Sequence, residues 1–303
     1  MDGVLVIDKP QGLTSHDVVA AARRALGETR IGHTGTLDPL ATGVLPLVIG
    51  CATRLVRFLT ASDKDYHATI RFGVTTDSYD ITGAETSRTG VVPSRNALLD
   101  AVRALTGDYL QPPPAFSAKK VEGRRAYRLA RQDRPVALTP APVHVARADL
   151  LEFTGARAQI ALTCSAGFYV RSFAHALGEL TGTGACLEAL QRTRSGEFRL
   201  DIAMSMESLQ DEACASARLV VLEGLLARFP AVTLTDRGRA HVSHGRELGP
   251  GDYKPAGATL APPLPHASAT AEWVRLMDAN GALVGVGTLG TVPGSLHPSV
   301  VLI

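Results

Sequence analysis

The chain is poor in cysteine and lacks long apolar runs, and each scarcity argues against a class of protein. Its 303 residues contain four cysteines, which form no C-x-x-C pair and have no histidine at zinc-ligand spacing. We therefore interpret them as buried, reduced thiols and expect no metal site. No apolar run approaches the roughly 18 residues of a membrane span, and an acid at position 2 argues against a signal peptide. The sequence thus predicts a cytoplasmic protein with no membrane partner.

Net charge and aromatic content are also low. The formal net charge is +2 and aromatic residues make up 5% of the chain, whereas its hydrophobic fraction of 45% and charged fraction of 20% are ordinary for a globular protein. Total charge therefore gives no indication of a nucleic-acid partner, and only the distribution of charge is informative.

Strand and helix patterns are mixed along most of the chain. YHATIRFG alternates, with Tyr66, Ala68, Ile70 and Phe72 on one face, and TSHDVVAAARRALG and SRNALLDAVRALTG predict capped helices. LVVLEGLLARF predicts a further helix, and SAGFYVRSF predicts a strand that leads into a helix. Because no regular βαβ repeat occurs, we predict an α+β fold.

The pattern changes near residue 229. Short strand-like runs follow, with a hairpin signal at DANGA, so we predict two domains, 1–229 and a small all-β domain at 230–303. Within the second, GPGDYKPAGATLAPPLPHASAT predicts a long mobile loop. GVGTLG opens no helix, which argues against a dinucleotide site, and the two histidines of HVSH lack a third ligand.

Asp38 is the only charged residue between Arg30 and Arg54, in the segment GHTGTLDPLATGVLPLVIG. An ionised carboxylate in apolar surroundings is costly unless it is paired or hydrogen-bonded. One interpretation makes Asp38 a helix N-cap, with Pro39 at the first helical position. The other makes it a reactive group in a cleft. The segment by itself leaves both open.

The densest charge lies in SAKKVEGRRAYRLARQDR, where residues 119–134 carry seven basic and two acidic side chains. Acids at i+4 that would neutralise a solvated helix face, the alternative interpretation, are mostly missing. Uncompensated basic side chains beside Tyr127 suit a phosphate backbone. The candidate RNA-backbone contacts are Lys119, Lys120, Arg124, Arg125 and Arg128.

Tyr169 and Arg171 stand two residues apart in SAGFYVRSF, so on a strand they would share one face. A ring beside a guanidinium could stack a base and pair with a carboxylate. A core tyrosine next to a surface arginine is the alternative.

Five blocks in order resemble the bacterial tRNA pseudouridine synthase B (TruB) family over nearly the whole chain. They are VLVIDKPQGLTSHDVV, RIGHTGTLDPLATGVLPLVIGCATRL, KDYHATIRFGVTTDSYDITG, QPPPAFSAKKVEGRRAYRLAR, and SAGFYVRSFAHALGE with GTGACLEALQRTRSG after it. The second block, with its G-[ST]-L-D-P-x-A-[ST]-G core, is highly specific. VRLMDANGALVGVGTL near the C-terminus is similar to a PUA domain, an RNA-binding β-barrel, although the Pro/Ala-rich insertion departs from the usual compact barrel.

The resemblance implies a pseudouridine synthase fold, with a central mixed, largely antiparallel sheet flanked by helices and loops, plus a small PUA-like β-barrel. It implies isomerisation of uridine 55 in the T-loop of tRNA, with Asp38 as the nucleophile towards a flipped-out uridine. In the family pattern Arg171 lies beside the nucleophile, and Tyr66 stacks on the uracil.

Further matches to the family surround this pair. By resemblance, Tyr169 and Leu190 line the substrate pocket, His33 fills the gap left by the flipped base, and Asp80 is a structural partner in the site. Lys9 and Pro10 match the first family motif, where we favour a structural role.

The reaction breaks the C1′–N1 bond and joins C5 to C1′ without redox chemistry or group transfer, so no cofactor is expected. We expect the T-arm of tRNA as the substrate, a monomer, and no obligatory protein partner. Three other interpretations remain: a non-catalytic tRNA-binding or RNA-folding protein, a synthase acting on another RNA, and a glycoside or nucleoside hydrolase. The last would normally use two paired carboxylates, and the Asp38 segment supplies one.

Overall fold

The computed structural model describes residues 1–116, 120–121, 124–125, 138–255 and 273–303. Its strands are β1 (Gly3–Lys9), β2 (Ile31–His33), β3 (Thr42–Ile49), β4 (Lys64–Phe72), β5 (Val74–Thr76), β6 (Glu85–Arg88), β7 (Gly107–Gln111), β8 (Lys120–Val121), β9 (Arg124–Arg125), β10 (Ala141–Thr154), β11 (Arg157–Cys164), β12 (Ala185–Ser195), β13 (Phe198–Arg199), β14 (Val220–Val221), β15 (Ala231–Leu234), β16 (Tyr253–Pro255), β17 (Val274–Met277), β18 (Leu283–Leu289) and β19 (Leu296–Val301).

The α-helices of the described residues are α1 (Ser15–Leu26), α2 (Val56–Thr60), α3 (Arg95–Ala104), α4 (Val170–Thr181), α5 (Glu212–Ala217) and α6 (Asp236–Ser243). Short 3-10 helices lie at Gly50–Leu55, Leu200–Ile202, Ser208–Gln210 and Leu222–Gly224. Within the described part of the chain, no helix is long and apolar enough to cross a membrane.

Ten strands form one sheet, eight of them in the order β14-β1-β3-β12-β4-β11-β10-β7, with β2 beside β3 and β13 beside β12. Only β12 and β3 pair in parallel; the other pairs of this sheet are antiparallel. The mixed, largely antiparallel sheet and its flanking helices confirm the predicted α+β fold class.

The two faces of this sheet are both covered. Leu5 and Ile7 of β1 belong to a first core with α1, α3 and α4, whereas Val4 and Val6 belong to a second core on the opposite face. In β4 the predicted face is buried, with Ile70 fully inaccessible, and burying such a side chain stabilises the fold by about 1.5–3 kcal/mol.

A second sheet of five strands follows, in the order β16-β15-β17-β18-β19. DANGA forms the predicted hairpin: the Asp278 carboxylate accepts hydrogen bonds from the backbone of Asn280 (2.9 Å) and Ala282 (3.0 Å) between β17 and β18. GVGTLG lies within β18 rather than in a loop before a helix. Most of the segment predicted to be a mobile loop falls in 256–272, outside the described residues.

The second core joins the two sheets. Phe58 of α2 meets Trp273 edge-on, with ring centroids 4.7 Å apart, and the Arg57 guanidinium lies 4.6 Å and 4.9 Å from the centroids of these two rings. Leu283 and Val286 of β18 pack in the same core as Val44 and Val48 of β3. The smaller sheet therefore packs against the face of the large sheet that carries Val44 and Val48.

One predicted helix is absent. Residues 219–229 form β14, a 3-10 helix and a turn instead of the helix that their apolar pattern suggested. Val221 pairs with Gly3 at the edge of the large sheet, and Leu225 and Leu226 are buried in the second core. Pairing and burial by distant parts of the chain here override local helix propensity.

Candidate active site

The Asp38 segment is a loop between β2 and β3, not the start of a helix. The Ala41 amide donates to the Asp38 carbonyl oxygen at 3.0 Å, which closes a tight turn with Pro39 at its second position. The N-cap interpretation is therefore wrong, because the chain enters β3 at Thr42 directly after the turn. The buried Ser15 hydroxyl of α1 fixes the loop, since it accepts from the Leu37 amide at 2.8 Å.

Arg171 holds the Asp38 carboxylate at two points. Its Nε lies 2.8 Å from Oδ2, and its second terminal nitrogen lies 3.3 Å from Oδ1. Such bidentate pairing fixes the orientation of a carboxylate as well as its position. The Arg171 side chain is only 7% exposed, whereas that of Asp38 is 39% exposed. The acid is thus the accessible member of the pair, and the guanidinium is the buried one.

Arg171 is itself held by the surrounding chain. It donates to the carbonyl oxygens of Ser78 (3.1 Å) and Phe116 (2.9 Å), and its Nε lies 3.7 Å from the Asp80 carboxylate. The other Asp80 oxygen accepts from Thr82, at 3.0 Å from its amide and 2.5 Å from its hydroxyl. Asp80 is thus a buried, hydrogen-bonded partner of Arg171 and is not exposed to solvent as Asp38 is.

The pKa of Asp38 is shifted upward from its ordinary value of 3.8. Loss of surrounding water is the largest cause, the Arg171 cation opposes it, and the negative charge of Asp80 adds to it. The positive charge of Lys9 acts in the same direction as that of Arg171. The site therefore holds a carboxylate that carries its charge at a cost, as expected of a reactive group.

Lys9, at the end of β1, is fully buried. Its ammonium donates to the carbonyl oxygens of Leu13 (2.7 Å) and Pro10 (2.9 Å), and burial lowers its pKa to about 8. These bonds tie the turn after β1 to the strand, which agrees with the structural role favoured for the first motif.

Tyr66 lies in β4, 8% exposed and within range of the Asp38 charge. Burial raises the pKa of its hydroxyl, and the neighbouring Arg192 guanidinium acts in the opposite direction. The hydroxyl therefore stays protonated at neutral pH, and the ring packs in the first core of the large sheet.

Arg192 is a site residue that the sequence did not single out. It is 1% exposed, and it donates from Nε to the Val44 carbonyl oxygen (2.7 Å) and from a terminal nitrogen to that of Gly35 (3.1 Å). These two carbonyls lie before and after the Asp38 turn, and Arg192 pairs in register with Tyr66. A buried guanidinium thus connects both ends of the Asp38 loop to β12, the strand that pairs with β4 at Tyr66.

The remaining predicted pocket residues lie on the elements that border these groups. His33 ends β2, and its Nδ1 accepts from the Gly35 amide at 3.2 Å; burial lowers its pKa. Leu190 of β12 and Leu40 of the Asp38 turn both line a cavity of about 200 Å³. The structure brings Asp38, Arg171 and Asp80 together as one ionic group.

Tyr169 and Arg171 do not share a strand face, so that expectation was wrong. β11 ends at Cys164, a turn with Gly167 at a φ of +85° follows, and Tyr169 is the N-cap of α4. The Gln111 side chain bonds both the amide (2.8 Å) and the carbonyl oxygen (3.1 Å) of Tyr169. Arg171 reaches the site from the first turn of the helix instead.

The basic cluster is only partly described. Lys120 and Arg124 belong to the two short strands β8 and β9, which pair antiparallel, with Lys120 opposite Arg125. Lys119 and Arg128 lie outside the described residues. In the described part of the chain, no group of three His, Cys, Asp or Glu side chains could hold a metal ion, and His241 of HVSH lies 3.3 Å from Asp252.

The chain is similar to chains in two solved complexes. An H/ACA RNP bound to a substrate RNA containing 2′-deoxyuridine contains a chain with 25% identity and a TM-score of 0.73, covering 99% of this chain and 85% of that one. A Cbf5-Nop10-Gar1 complex contains one with 26% identity and a TM-score of 0.75, at the same coverage. The fold is that of the pseudouridine synthases, as the sequence predicted.

Matches to protein families and to individual relatives show which group of pseudouridine synthases the chain resembles. The model of the TruB family pseudouridylate synthase N-terminal domain matches residues 23–170, and that of the tRNA pseudouridylate synthase B C-terminal domain matches 171–227. Proteins named tRNA pseudouridine synthase B are 44% identical in Solibacter usitatus, over all of both chains, and 37% identical in Syntrophus aciditrophicus, over 94% of this chain and 90% of the relative. The chain belongs to the TruB family of pseudouridylate synthases.

Proposed function

We propose that this protein isomerises uridine 55 in the T-arm of tRNA to pseudouridine, with Asp38 as the nucleophile. The observation that carries the proposal is the Asp38 carboxylate, which is partly exposed and is fixed at two points by the buried Arg171 guanidinium. Membership in the TruB family supports an isomerase, and the relatives' name supports tRNA as the substrate. The enzyme would act in the cytoplasm, where bacterial tRNA is found.

The proposed chemistry needs little beyond these groups. The target uridine leaves its stack and rests against Tyr66, and such stacking contributes about 1–3 kcal/mol per base. Asp38 attacks either C1′ of the ribose or C6 of the uracil, the C1′–N1 bond breaks, and the base turns. C5 then bonds to C1′, the bond to Asp38 breaks so that its carboxylate is restored, the C5 proton leaves to solvent, and N1 takes up a proton. The product thus contains the same atoms as the substrate, and the proposed reaction balances without a cofactor.

The other site residues receive roles by their positions. Leu190 and Tyr169 would form walls of the uracil pocket, and His33 would fill the space that the flipped base leaves in the RNA. Asp80 would hold Arg171 in place. The basic side chains Lys119, Lys120, Arg124, Arg125 and Arg128 would contact the RNA backbone.

We further propose that residues 1–229 form the catalytic domain and 230–303 an RNA-binding PUA-like domain, and that the protein acts as a monomer without an obligatory protein partner. The two family models end at residue 227, before the five-stranded sheet begins. The similar chains from H/ACA assemblies make dependence on partner proteins the alternative to test.

Tritium release from a T-arm stem-loop labelled at C5 of uridine tests the proposal. Wild type should release label without any other protein, Asp38→Asn should not, and Asp8→Asn, which changes an exposed acid of β1, should behave as wild type. Binding of tRNA without release by wild type would instead support a non-catalytic RNA-binding protein. Release only from another RNA, or only with partner proteins, would favour a synthase with a different substrate.

A hydrolase is disfavoured by the placement of the second carboxylate. Asp80 is buried, bonded to Thr82 and separated from Asp38 by Arg171. It therefore cannot activate a water or protonate a leaving group in the cleft, as a glycosidase pair must. Detection of free uracil after incubation with tRNA would contradict this assignment.

A further inference from the structure

Tyr79 adopts a backbone conformation that side chains rarely take. Its φ is +64°, and in the described residues only one other non-glycine, Leu226, has a positive φ. A bulky residue in the left-handed region is uncommon and persists where the surrounding structure holds it. Tyr79 lies between Ser78 and Asp80, two residues that both contact Arg171.

The unusual conformation turns two groups toward the same guanidinium. The Ser78 carbonyl oxygen accepts from Arg171 at 3.1 Å, and the Asp80 carboxylate lies 3.7 Å from its Nε. The backbone of this segment is also tied to β12, because Leu187 donates to the Tyr79 carbonyl oxygen at 2.9 Å. An extended residue at position 79 would direct Ser78 and Asp80 differently.

The Tyr79 ring stacks on the imidazole of His175. The two ring centroids lie 3.9 Å apart and the planes are inclined by 6°. His175 follows Arg171 by four residues on α4, so both side chains lie on one face of the helix, one turn apart. The Nδ1 atom of His175 is buried without a hydrogen-bond partner in the structure. Its ring is therefore placed by packing against Tyr79 rather than by polar contacts at Nδ1.

Burial keeps the imidazole neutral. It lowers the pKa of His175 below its ordinary value of 6.5, and the Glu179 charge opposes the shift. At neutral pH the Tyr79 ring therefore stacks on an uncharged imidazole.

We propose that Tyr79 and His175 form a positioning pair, which fixes the Ser78–Asp80 turn against Arg171 and so aligns the Asp38 carboxylate. The inference rests on the proposed function, because alignment matters only if Asp38 reacts. Neither ring needs to touch the RNA. The pair acts through Arg171, so it should affect the chemical step and leave RNA binding unchanged.

Four single variants and one double variant separate positioning from simple packing. Tyr79→Asn removes the ring but retains a residue type that tolerates the left-handed region, and His175→Asn removes the partner ring. Both should lower kcat by about three- to ten-fold, as expected for a lost aromatic contact, with KM for the T-arm stem-loop unchanged. Tyr79→Phe and His175→Phe keep the stack and should retain nearly wild-type kcat. The double Asn variant should be no slower than the slower single variant, because both changes remove the same contact.

Thermal unfolding of each variant accompanies the kinetics. Asn variants with a lower Tm but wild-type kcat would show that the stack serves packing alone and overturn the inference. Equal losses of kcat in the Phe and Asn variants would do the same, since the ring would not be the reason. An inactive wild type would instead refute the proposed function, and the positioning role with it.

Discussion

Asp38, beside the ten-stranded sheet, and Asp252, beside the five-stranded sheet, both pair with an arginine but in opposite senses. The Asp252 side chain is 5% exposed and its partner Arg237 is 66% exposed, whereas at Asp38 the arginine is the buried member. Asp252 accepts from the Gly249 amide at 2.8 Å and from Arg237 at 2.5 Å. The Asp252 carboxylate thus lies inside the fold, whereas the Asp38 carboxylate is the more accessible member of its pair.

Their pKa values move in opposite directions. Burial would raise the pKa of Asp252, but the Gly249 amide and Arg237 outweigh it, so the pKa is lowered. At Asp38 loss of water outweighs Arg171, and the pKa is raised. By linkage, ionisation of Asp252 stabilises the folded state above its pKa, whereas ionisation of Asp38 destabilises it. The Asp252 carboxylate therefore serves the fold, whereas the Asp38 carboxylate carries its charge at a cost to stability.

Exchanging each aspartate for asparagine should give opposite outcomes, and this is the largest expected effect. Asp38→Asn should lower pseudouridine formation by about 1,000-fold or more. At pH 7 it should raise the free energy of unfolding by less than about 1 kcal/mol, since the carboxylate is partly exposed. Asp252→Asn should keep activity and lower stability by about 1–2 kcal/mol. Tritium release and urea unfolding measure both; a stability loss in Asp38→Asn equal to that of Asp252→Asn would contradict the comparison.

Removing the buried arginine should alter the pH profile. Arg171→Gln should lower kcat by about 100-fold. It should also move the acid limb of the kcat profile to higher pH, because the Arg171 cation lowers the pKa of Asp38 against the raising effects of burial and Asp80. Lys9, the other cation that acts on Asp38, remains in the variant.

Arg157→Gln is the matched control for this profile. Arg157 also pairs with a carboxylate at two points, Glu188 at 2.6 Å and 2.9 Å, but is 56% exposed on the same sheet. Its loss should change neither kcat nor the acid limb. An unshifted limb in Arg171→Gln would show that another group titrates there.

Buried lysines should make the stability of the protein depend on pH in the alkaline range. Burial lowers the pKa of Lys64 to about 8, and its ammonium donates to the carbonyl oxygens of Thr60 and Ser62, both at 2.5 Å. Between pH 8 and 10.5 the unfolded chain binds more protons, so stability should rise with pH, by about 2–3 kcal/mol for Lys64. Urea unfolding from pH 7 to 10 should show the rise, and Lys64→Met should reduce its slope. A slope equal to that of wild type would exclude Lys64 as its source.

Arg192 should show a smaller effect on alignment. Arg192→Lys keeps the charge but not the geometry that reaches both Gly35 and Val44, so kcat/KM should fall about five- to ten-fold. Arg194→Lys changes a neighbour that pairs with Asp65 at 2.7 Å and 2.8 Å away from the Asp38 loop, and it should stay within two-fold (roughly 0.4 kcal/mol) of wild type. Equal losses in both would assign the effect to β12 as a whole.

Local sequence was sufficient where neighbouring residues decide the structure. α1 begins at the capping box of Thr14 and Asp17 and ends at Gly27, whose φ is +60°, as the helix signals predicted. The alternation of β4 likewise placed Tyr66 on the buried face. The isolation of Asp38 in apolar sequence indicated an unusual acid, but its turn conformation depended on how β3 joins the sheet.

The local sequence was not sufficient where strand register, or pairing with a distant strand, decides the structure. Sequence analysis did not single out Arg192, which is buried on β12, whereas Arg194, beyond a bulge in the same strand, is half-buried. Residues 219–229 pair with β1 instead of forming a helix. Neither outcome follows from local propensity, because both depend on partners more than a hundred residues away.

The sequence by itself determined the family, the α+β class and the candidate acid, since blocks of residues and local periodicity carry that information. Only the tertiary structure decided that the buried Arg171 guanidinium would hold Asp38, and that Tyr79 would adopt a left-handed conformation between two residues that contact Arg171. It also decided that Arg192 would connect the Asp38 loop to β12. The reason is physical. A charged group is oriented by the groups that approach it in space, and the chain brings these groups together from segments that are far apart in sequence.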